Sequence, residues 1–291
     1  MKYALFLGCT VAVRSLNYEV SARNIAKKLG IELVDLSEFA CCGYPLTQVD
    51  RITNFAMAAR NLALAEKAGL DIMTLCPSCS SNLTKINIQL CNDLKTLSDV
   101  NKLLKDERLE YKGTIKVRHF TEVLYITVGP EKIKELVSRS LAPFKIAPHY
   151  SCHYMKPSII HEHFEDPAHP VGMEKLIEAT GATPVNYENK LQCCGAALLA
   201  VEEETPTAMT REKLDHMKAA GADAMIVDCP FCAVMYDEYQ KSIGSEAAVE
   251  YNIPVLFISQ MLGLAFGMDP NKELLINKNN VKMKKLLKKW G

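Results

Sequence analysis

The sequence contains neither a long apolar run nor an excess of charge of one sign. No stretch approaches the roughly 18 consecutive apolar residues of a membrane-spanning helix, and the apolar stretch before Cys9 is shorter than the about 7–15 residues of a secretion signal. Lysine plus arginine number 34, and so do aspartate plus glutamate, so charge alone does not favour binding to nucleic acid. We therefore expect a cytoplasmic protein with no membrane span and no nucleic-acid partner.

The charge is nevertheless uneven along the 291 residues. From Leu274 to the end there are six lysines and no acidic residue, so a mildly acidic body carries a basic tail. Apolar residues of this tail recur at helical spacing: Met283, Leu286, Leu287 and Trp290. We predict that residues 271–291 form a basic amphipathic helix, which docks on a partner protein rather than packing on the chain's own body.

Cysteine is the residue in excess, with eleven copies. A small secreted protein would use so many in disulfides, whereas in a reducing cytosol clustered thiols more often bind metal or perform redox chemistry. Ten of them fall into two sets of five, which we call the first set (Cys9, Cys41, Cys42, Cys76 and Cys79) and the second set (Cys152, Cys193, Cys194, Cys229 and Cys232). Cys91 has no counterpart and is predicted to pack as a small buried hydrophobic residue.

The spacing within the two sets indicates that one module is present twice. In the first set, 31 residues separate Cys9 from Cys41, 33 separate Cys42 from Cys76, and two separate Cys76 from Cys79. The corresponding numbers in the second set are 40, 34 and two. The flanking sequences also repeat, because residues 68–79 resemble residues 220–232. A duplication explains both the spacing and the flanks.

Each half alternates short apolar strands with helices, which is typical of an α/β fold with a parallel sheet. In the first half a helix is predicted over 16–29, ended by Gly30, and strands over 2–7, 31–36, 71–75 and 114–120. The predicted architecture is two tandem, duplicated, Rossmann-like parallel-sheet modules related by pseudo-two-fold symmetry, over residues 1–140 and 141–270. Because the cysteines follow the carboxyl ends of strands, we expect the thiols of each set to converge at one sheet edge.

Five converging thiols are compatible with three kinds of chemistry. Cys-x-x-Cys is a common half of a zinc site, but zinc takes four ligands, and the adjacent Cys41 and Cys42 fit poorly on one small ion. The segment from Cys76 to Cys79 also resembles the active motif of glutaredoxins, which leaves six repeated cysteines without a role. Thiolates are the usual ligands of iron–sulfur clusters, and an adjacent pair plus three others suits a cluster less regular than a cube.

Two copies of Cys-x(n)-Cys-Cys-Gly-x(n)-Cys-Pro-x-Cys resemble the cysteine-rich CCG domain. A chain of two such domains is similar to the B subunits of heterodisulfide reductases of methanogenic archaea, from Cys9 to about Gly267. This resemblance implies one noncubane [4Fe-4S] cluster on each set, so that all ten cysteines would be metal-binding and catalytic. The implied reaction reduces CoM-S-S-CoB, the mixed disulfide of coenzyme M and coenzyme B, to two thiols.

The resemblance also implies protein partners. The C subunit of heterodisulfide reductase would carry ordinary clusters. The A subunit, which is a flavoprotein with ferredoxin-type clusters, would take electrons from hydrogenase or formate dehydrogenase. The module is shared by proteins of other redox complexes, among them lactate-utilisation, glycerol-phosphate dehydrogenase and thiol:fumarate reductase proteins. The alternatives are therefore membership of such a complex and a zinc-bearing structural role.

Three further residues are candidates for substrate contact. His153 adjoins Cys152 and His149 lies just upstream, so either histidine is placed to give a proton to a departing thiolate or to contact an anionic substrate. Arg14, close after Cys9, is a candidate for binding the sulfonate or phosphate of the coenzymes. The alternatives are a structural histidine on a loop and a solvated arginine at a helix end.

Overall fold

A computed structural model describes residues 1–290, apart from the side chains of Lys285, Lys289 and Trp290. The elements of the first half are β1 (Lys2–Phe6), α1 (Gly8–Arg14), α2 (Leu16–Lys28), β2 (Glu32–Val34), α3 (Arg51–Lys67), β3 (Asp71–Thr74), α4 (Pro77–Asn92), α5 (Leu94–Leu104), β4 (Val117–His119), α6 (Phe120–Glu122, continued by a π-helical segment, Val123–Val128) and α7 (Pro130–Glu135). Short 3₁₀ turns lie at Tyr44–Leu46 and Lys105–Glu107.

The second half repeats this order. Its elements are β5 (Lys145–Pro148), α8 (Cys152–Met155), α9 (Gly172–Ala179), β6 (Thr183–Pro184), α10 (Glu204–Ala219), β7 (Ala224–Val227), α11 (Pro230–Ala233, continued by a π-helical segment, Val234–Glu238), α12 (Gln240–Glu246), β8 (Val255–Phe257), α13 (Ile258–Ala265) and α14 (Lys284–Trp290). Short 3₁₀ turns lie at Ser158–His161 and Ile276–Lys278.

Each half forms a four-stranded, wholly parallel sheet. The strand orders are β2-β1-β3-β4 and β6-β5-β7-β8, with Leu5 opposite Met73 in the first sheet and Ala147 opposite Met225 in the second. Parallel neighbours need long crossover connections, which the intervening helices supply. The central strand β7 is buried along its whole length, as expected of a sheet covered on both faces. The prediction of two tandem α/β modules is confirmed.

The two modules exchange their last helical segments. The π-helical segment after α6 packs against α9 of the second half, and α13 packs against α2 of the first half. Tyr18 of α2 stacks on Phe257 with 4.1 Å between ring centroids, and Ser21 Oγ lies 2.7 Å from Ser259 Oγ. Apolar residues of both halves consequently share one continuous core. This reciprocity is that of a pseudo-two-fold arrangement.

The C-terminal helix is shorter than predicted. It begins only at Lys284, because the preceding backbone has other partners. The carboxylate of Asp237 accepts the N–H groups of Asn280 at 2.7 Å and Val281 at 2.9 Å, and Leu275 is left-handed with φ of 48°. The predicted helix over residues 271–283 is therefore replaced by turns.

The apolar side of this helix also faces the chain itself. Met283 is buried, and Leu286 and Leu287 pack against the core that the two halves share. Trp290 belongs to the predicted apolar side, but its side chain lies outside the described part. Contrary to our expectation of docking, the described apolar residues are thus used to cover this chain's own body.

Asn279 connects both halves to the C-terminal segment, and its replacement by alanine is expected to destabilise the fold. Its Oδ1 accepts hydrogen bonds from Asn17 Nδ2 at 2.9 Å and Gln260 Nε2 at 3.0 Å, while its Nδ2 donates to Val255 O at 2.7 Å. Asn279→Ala leaves these buried groups unpaired and should lower the free energy of unfolding by about 2 kcal/mol in denaturant titrations. Exposed Asn271→Ala is the control, and equal stability of the two variants would contradict this role.

Candidate functional site

The Cys-Pro-x-Cys segments stand at helix starts. Cys76 immediately precedes α4 and Cys229 precedes α11, with Pro77 and Pro230 at the first helical position, where a backbone N–H is not needed. Hydrogen bonds from the thiols of Cys229 and Cys79, and then from N–H groups of the α4 start, hold the pKa of Cys76 well below its usual value. This environment favours a thiolate, which is the form that binds metals.

The glycine of each Cys-Cys-Gly segment turns its N–H group back towards a sulfur. Gly43 and Gly195 have φ of 88° and 76°, a left-handed conformation that strains residues with side chains. As a result the Gly43 nitrogen lies 3.5 Å from Cys41 Sγ, and the Gly195 nitrogen lies 3.4 Å from Cys193 Sγ. The motif therefore has a direct geometric reason in both halves.

Nine of the ten repeated cysteines form one continuous series of thiol–thiol contacts. In the second set, Cys232 Sγ lies 3.4 Å from Cys194 Sγ, and Cys193 Sγ lies 3.9 Å from Cys152 Sγ. The series passes from one half to the other between Cys76 and Cys229, in the order Cys41, Cys42, Cys79, Cys76, Cys229, Cys232, Cys194, Cys193, Cys152. The tenth, Cys9, acts electrostatically on Cys41. The two sets thus converge and also meet each other.

Hydrogen bonds within the series keep part of it ionised. The thiols of Cys41 and Cys79 lower the pKa of Cys42 to about 4, and the thiols of Cys152 and Cys194 lower that of Cys193 to about 2. The proton is retained by neighbours; the hydrogen bond with Cys193 contributes most to raising the pKa of Cys194, to about 11. Each set accordingly holds at least one thiolate at neutral pH.

Tyr44 and His153 join the two halves beside the thiols. The Tyr44 hydroxyl lies 2.9 Å from His153 Nε2, and both side chains are half-buried. Burial, and then the charges of Cys152, Cys193 and Cys76, raise the pKa of Tyr44, so this ring senses both sets. The outer thiols are also accessible: Cys9 and Cys193 are exposed, Cys41 and Cys152 are partly exposed. A small molecule therefore has access to both sets next to this pair.

The family model for the cysteine-rich domain CCG matches residues 3–84 and 146–237. The two segments contain the first and second sets of cysteines. The chain belongs to the CCG family. In this CCG protein the first helix of each domain also contacts the Cys-Pro helix of the other, since α1 lies against α11 and α8 against α4.

Relatives of this CCG protein include named redox proteins. It is 39% identical over 284 residues to the B subunit of the ferredoxin/F(420)H(2)-dependent CoB-CoM heterodisulfide reductase of Methanosarcina acetivorans, covering 96% of this chain and 94% of the relative. It is 32% identical to the membrane anchor subunit of the 8-methylmenaquinol:fumarate reductase of Wolinella succinogenes, covering 98% and 99%. Within residues 1–290 of this chain, no helix has the length and apolar character needed to span a membrane.

A solved structure shares the fold of both CCG domains together. The crystal structure of a hypothetical protein from Helicobacter pylori superposes with a TM-score of 0.79 and 18% sequence identity. The match covers 97% of this chain and 52% of that one, so this chain spans about half the length of that protein. At this identity the likeness concerns the fold.

The residues of both CCG domains fit an iron–sulfur group by two observations. The donor set is made of thiols, the usual ligands of such groups, and six of the ten are buried. Gly8 has φ of +67°, and a Cβ atom there would lie 2.8 Å from Cys79 Sγ, so the space beside this sulfur is open only because residue 8 lacks a side chain. Among residues 1–290 no three His, Cys, Asp or Glu side chains surround one point as for a single ion; the thiols extend as a series instead.

Two other predicted residues have different surroundings. Arg14 is exposed at the end of α1 and forms an ion pair with Glu238 of the second half. The prediction that Cys91 is buried is wrong. It is exposed near the end of α4, where polar neighbours take up its thiol: Sγ lies 3.3 Å from Asn87 Oδ1 and 3.8 Å from Gly113 O.

Sequence reasoning did not single out Tyr44, Gly8 or Lys213. Tyr44 directly follows the first Cys-Cys-Gly segment, and Gly8 directly precedes Cys9. Lys213 is fully buried and stands in the repeat where the first half has Asn61. A residue-by-residue comparison of the two copies is the signal that points to Lys213.

Proposed function

We propose that this chain is the B subunit of a CoB-CoM heterodisulfide reductase, an iron–sulfur oxidoreductase component that reduces CoM-S-S-CoB to the two coenzyme thiols. Its identity to the Methanosarcina acetivorans protein supports this proposal. The observation that carries it is the meeting of two five-cysteine sets at Cys76 and Cys229. One reaction centre with access to two equivalent sulfur-rich groups suits a substrate that itself consists of two sulfur atoms.

The ten cysteines are the proposed ligands. The first set would hold one noncubane [4Fe-4S] cluster and the second set another. When bound, such clusters supply electrons one at a time, whereas cleavage of a disulfide takes two. Having two sets on either side of one cleft therefore matches the electron count of the reaction.

The reaction also needs protons at defined atoms. The S–S bond breaks, two electrons and two protons are taken up, and two thiols are released. We propose that the hydroxyl of Tyr44 and the imidazole of His153 lie against the disulfide and donate protons to its sulfur atoms. Arg14 is proposed to bind an anionic group of the substrate, in competition with its ion pair to Glu238.

The electrons would come from other proteins of the same complex, since the Methanosarcina acetivorans relative is named as one of several subunits. The proposed partners are the C subunit of heterodisulfide reductase, with ordinary clusters, and the A subunit, a flavoprotein. Hydrogenase or formate dehydrogenase would be the upstream source. In this account the chain works in the cytoplasm.

Replacing the boundary pair is expected to slow the reaction without loss of iron. Tyr44→Phe and His153→Gln each remove a proton donor beside the thiols and should lower kcat for CoM-S-S-CoB by about 10²-fold. The measurement is thiol release with a reduced viologen dye as donor, with iron determined in parallel. Tyr3→Phe is the matched control, because Tyr3 lies at the opposite end of β1. Unchanged kcat in both variants would exclude this role.

The same assay tests the proposed function itself. Anaerobically purified protein, supplied with reduced viologen and CoM-S-S-CoB, is expected to release coenzyme M and coenzyme B in equal amounts. Failure to release either thiol from protein that contains its full iron would contradict the proposal.

The Wolinella succinogenes relative favours one second candidate, a component that serves another acceptor within a quinol:fumarate reductase. The discriminating experiment isolates the native complex and supplies each substrate pair separately. Turnover of quinol with fumarate, without cleavage of CoM-S-S-CoB, would support this second candidate over the first.

A further inference from the structure

A buried cation lies two hydrogen bonds from a sulfur of the second set. Lys213 on α10 is 0% exposed, and its Nζ lies 3.1 Å from His149 Nδ1. An ammonium group can only donate, so Nδ1 is the acceptor and the imidazole carries its proton on Nε2. That Nε2 lies 3.2 Å from Cys232 Sγ. The three side chains thus form one directed chain from Lys213 through His149 to Cys232.

The charge states agree with this direction. Burial lowers the pKa of Lys213 to about 8, so the side chain remains mostly cationic at pH 7. Burial, and then the charge of Lys213, hold the pKa of His149 well below its usual value, so the imidazole is neutral. Lys213 also donates to the carbonyl oxygens of Lys190 at 3.0 Å and Gln192 at 2.6 Å, which fixes the ammonium group in place.

The first half has the same positions but not the same chemistry. Phe6 and His149 each stand three residues before the first cysteine of their set, and Asn61 and Lys213 each stand seven residues before the repeated Ala-Gly pair. Phe6 packs edge-on against Phe39, with 5.0 Å between ring centroids. The Asn61 amide binds Cys41 O at 3.0 Å and Ala40 N at 2.9 Å. Asn61 therefore ties down its cysteine loop, as Lys213 does, but brings no charge.

We infer that Lys213 and His149 are positioning residues that give the second set the more positive reduction potential of the two. A hydrogen bond to a ligand sulfur and a nearby positive charge both stabilise the reduced, more negatively charged form of an iron–sulfur group. Because Phe6 and Asn61 supply neither, the duplicated sites would accept electrons in a defined order, the second set first. The inference rests on the proposed function, because it requires iron–sulfur groups on both sets.

The test is an anaerobic potentiometric titration of the iron-loaded protein, followed by visible absorption and electron paramagnetic resonance. His149→Phe copies the first half, and Lys213→Met removes the charge. Each is expected to shift the ratio of reduced to oxidised form of the higher-potential site at least tenfold, which is 59 mV for one electron, and to leave the other site unchanged. His149→Gln, which keeps a neutral N–H donor, should shift the ratio less.

Tyr236→Phe is the matched control. Its ring centroid lies 4.8 Å from that of His149, and its buried hydroxyl has no hydrogen-bond partner in the described part of the chain, so neither potential should move. Unmoved potentials in His149→Phe and Lys213→Met, or a shift of the lower potential instead, would overturn the inference. A shift in Lys213→Met alone would also overturn it, because loop anchoring would then be the cause.

The iron content separates this inference from the proposed function. Full iron with unmoved potentials would defeat the inference alone, whereas wild-type protein that binds no iron would defeat both. Should His149→Phe or Lys213→Met fail to fold or to load, His149→Gln decides: an unmoved higher potential in that variant would then overturn the inference.

Discussion

Replacing either Cys42 or Cys194 with alanine is expected to abolish reduction of CoM-S-S-CoB and to halve the iron content. Both thiols are buried inside their sets: Cys42 contacts Cys41 and Cys79, and Cys194 contacts Cys193 and Cys232. Loss of the central sulfur separates the outer cysteines from the inner ones. Each variant should therefore keep about four of about eight irons per chain and, lacking one of two electron-supplying groups, lose turnover.

Cys91→Ala provides the control for both cysteine variants. Cys91 is exposed and lies outside both sets, so this variant should keep full iron and full turnover. Wild-type thiol release in either Cys42→Ala or Cys194→Ala would show that the reaction does not need both sets. In that event the proposed two-site function would have to be abandoned.

Replacing Gly8 with alanine is expected to remove the group held by the first set. The added Cβ would lie 2.8 Å from Cys79 Sγ, and therefore within the space that a group bound to this sulfur would need. Iron content should fall to about half, and turnover should be lost as in the cysteine variants. The measurements are iron and sulfide per chain together with thiol release.

Gly30→Ala separates this steric effect from backbone strain. Gly30 has nearly the same φ, +71°, but an added Cβ there meets nothing within 4 Å. This control should lose about 1 kcal/mol of stability through left-handed strain and should keep its iron. If Gly8→Ala binds as much iron as Gly30→Ala, the space beside Cys79 is not part of the site.

The fold and the cysteine sets could be predicted because their signals are local or repeated. Strands and helices leave periodic apolar patterns, and duplication writes the same cysteine spacing twice. The direct contact of Cys76 with Cys229 has no such signal. It depends on how α13 packs on α2 and how α9 meets the π-helical segment after α6, which are contacts between distant parts of the chain.

The incorrect predictions have the same cause. Periodicity identified the apolar side of the C-terminal helix, but it could not reveal that Asp237 would bind the N–H groups of Asn280 and Val281 and so delay the helix start. Composition favoured a buried Cys91, whereas Asn87 and Gly113 give its thiol polar neighbours near the end of α4. The pairing of Tyr44 with His153 likewise arises only from tertiary packing.

The most direct test of the whole account is the metal content of protein purified without oxygen. Two sets of five thiolates that each hold a four-iron cluster predict a brown protein with about eight irons and about eight acid-labile sulfides per chain. A colourless protein with about one or two zinc ions per chain would instead indicate a structural zinc protein and would contradict the account.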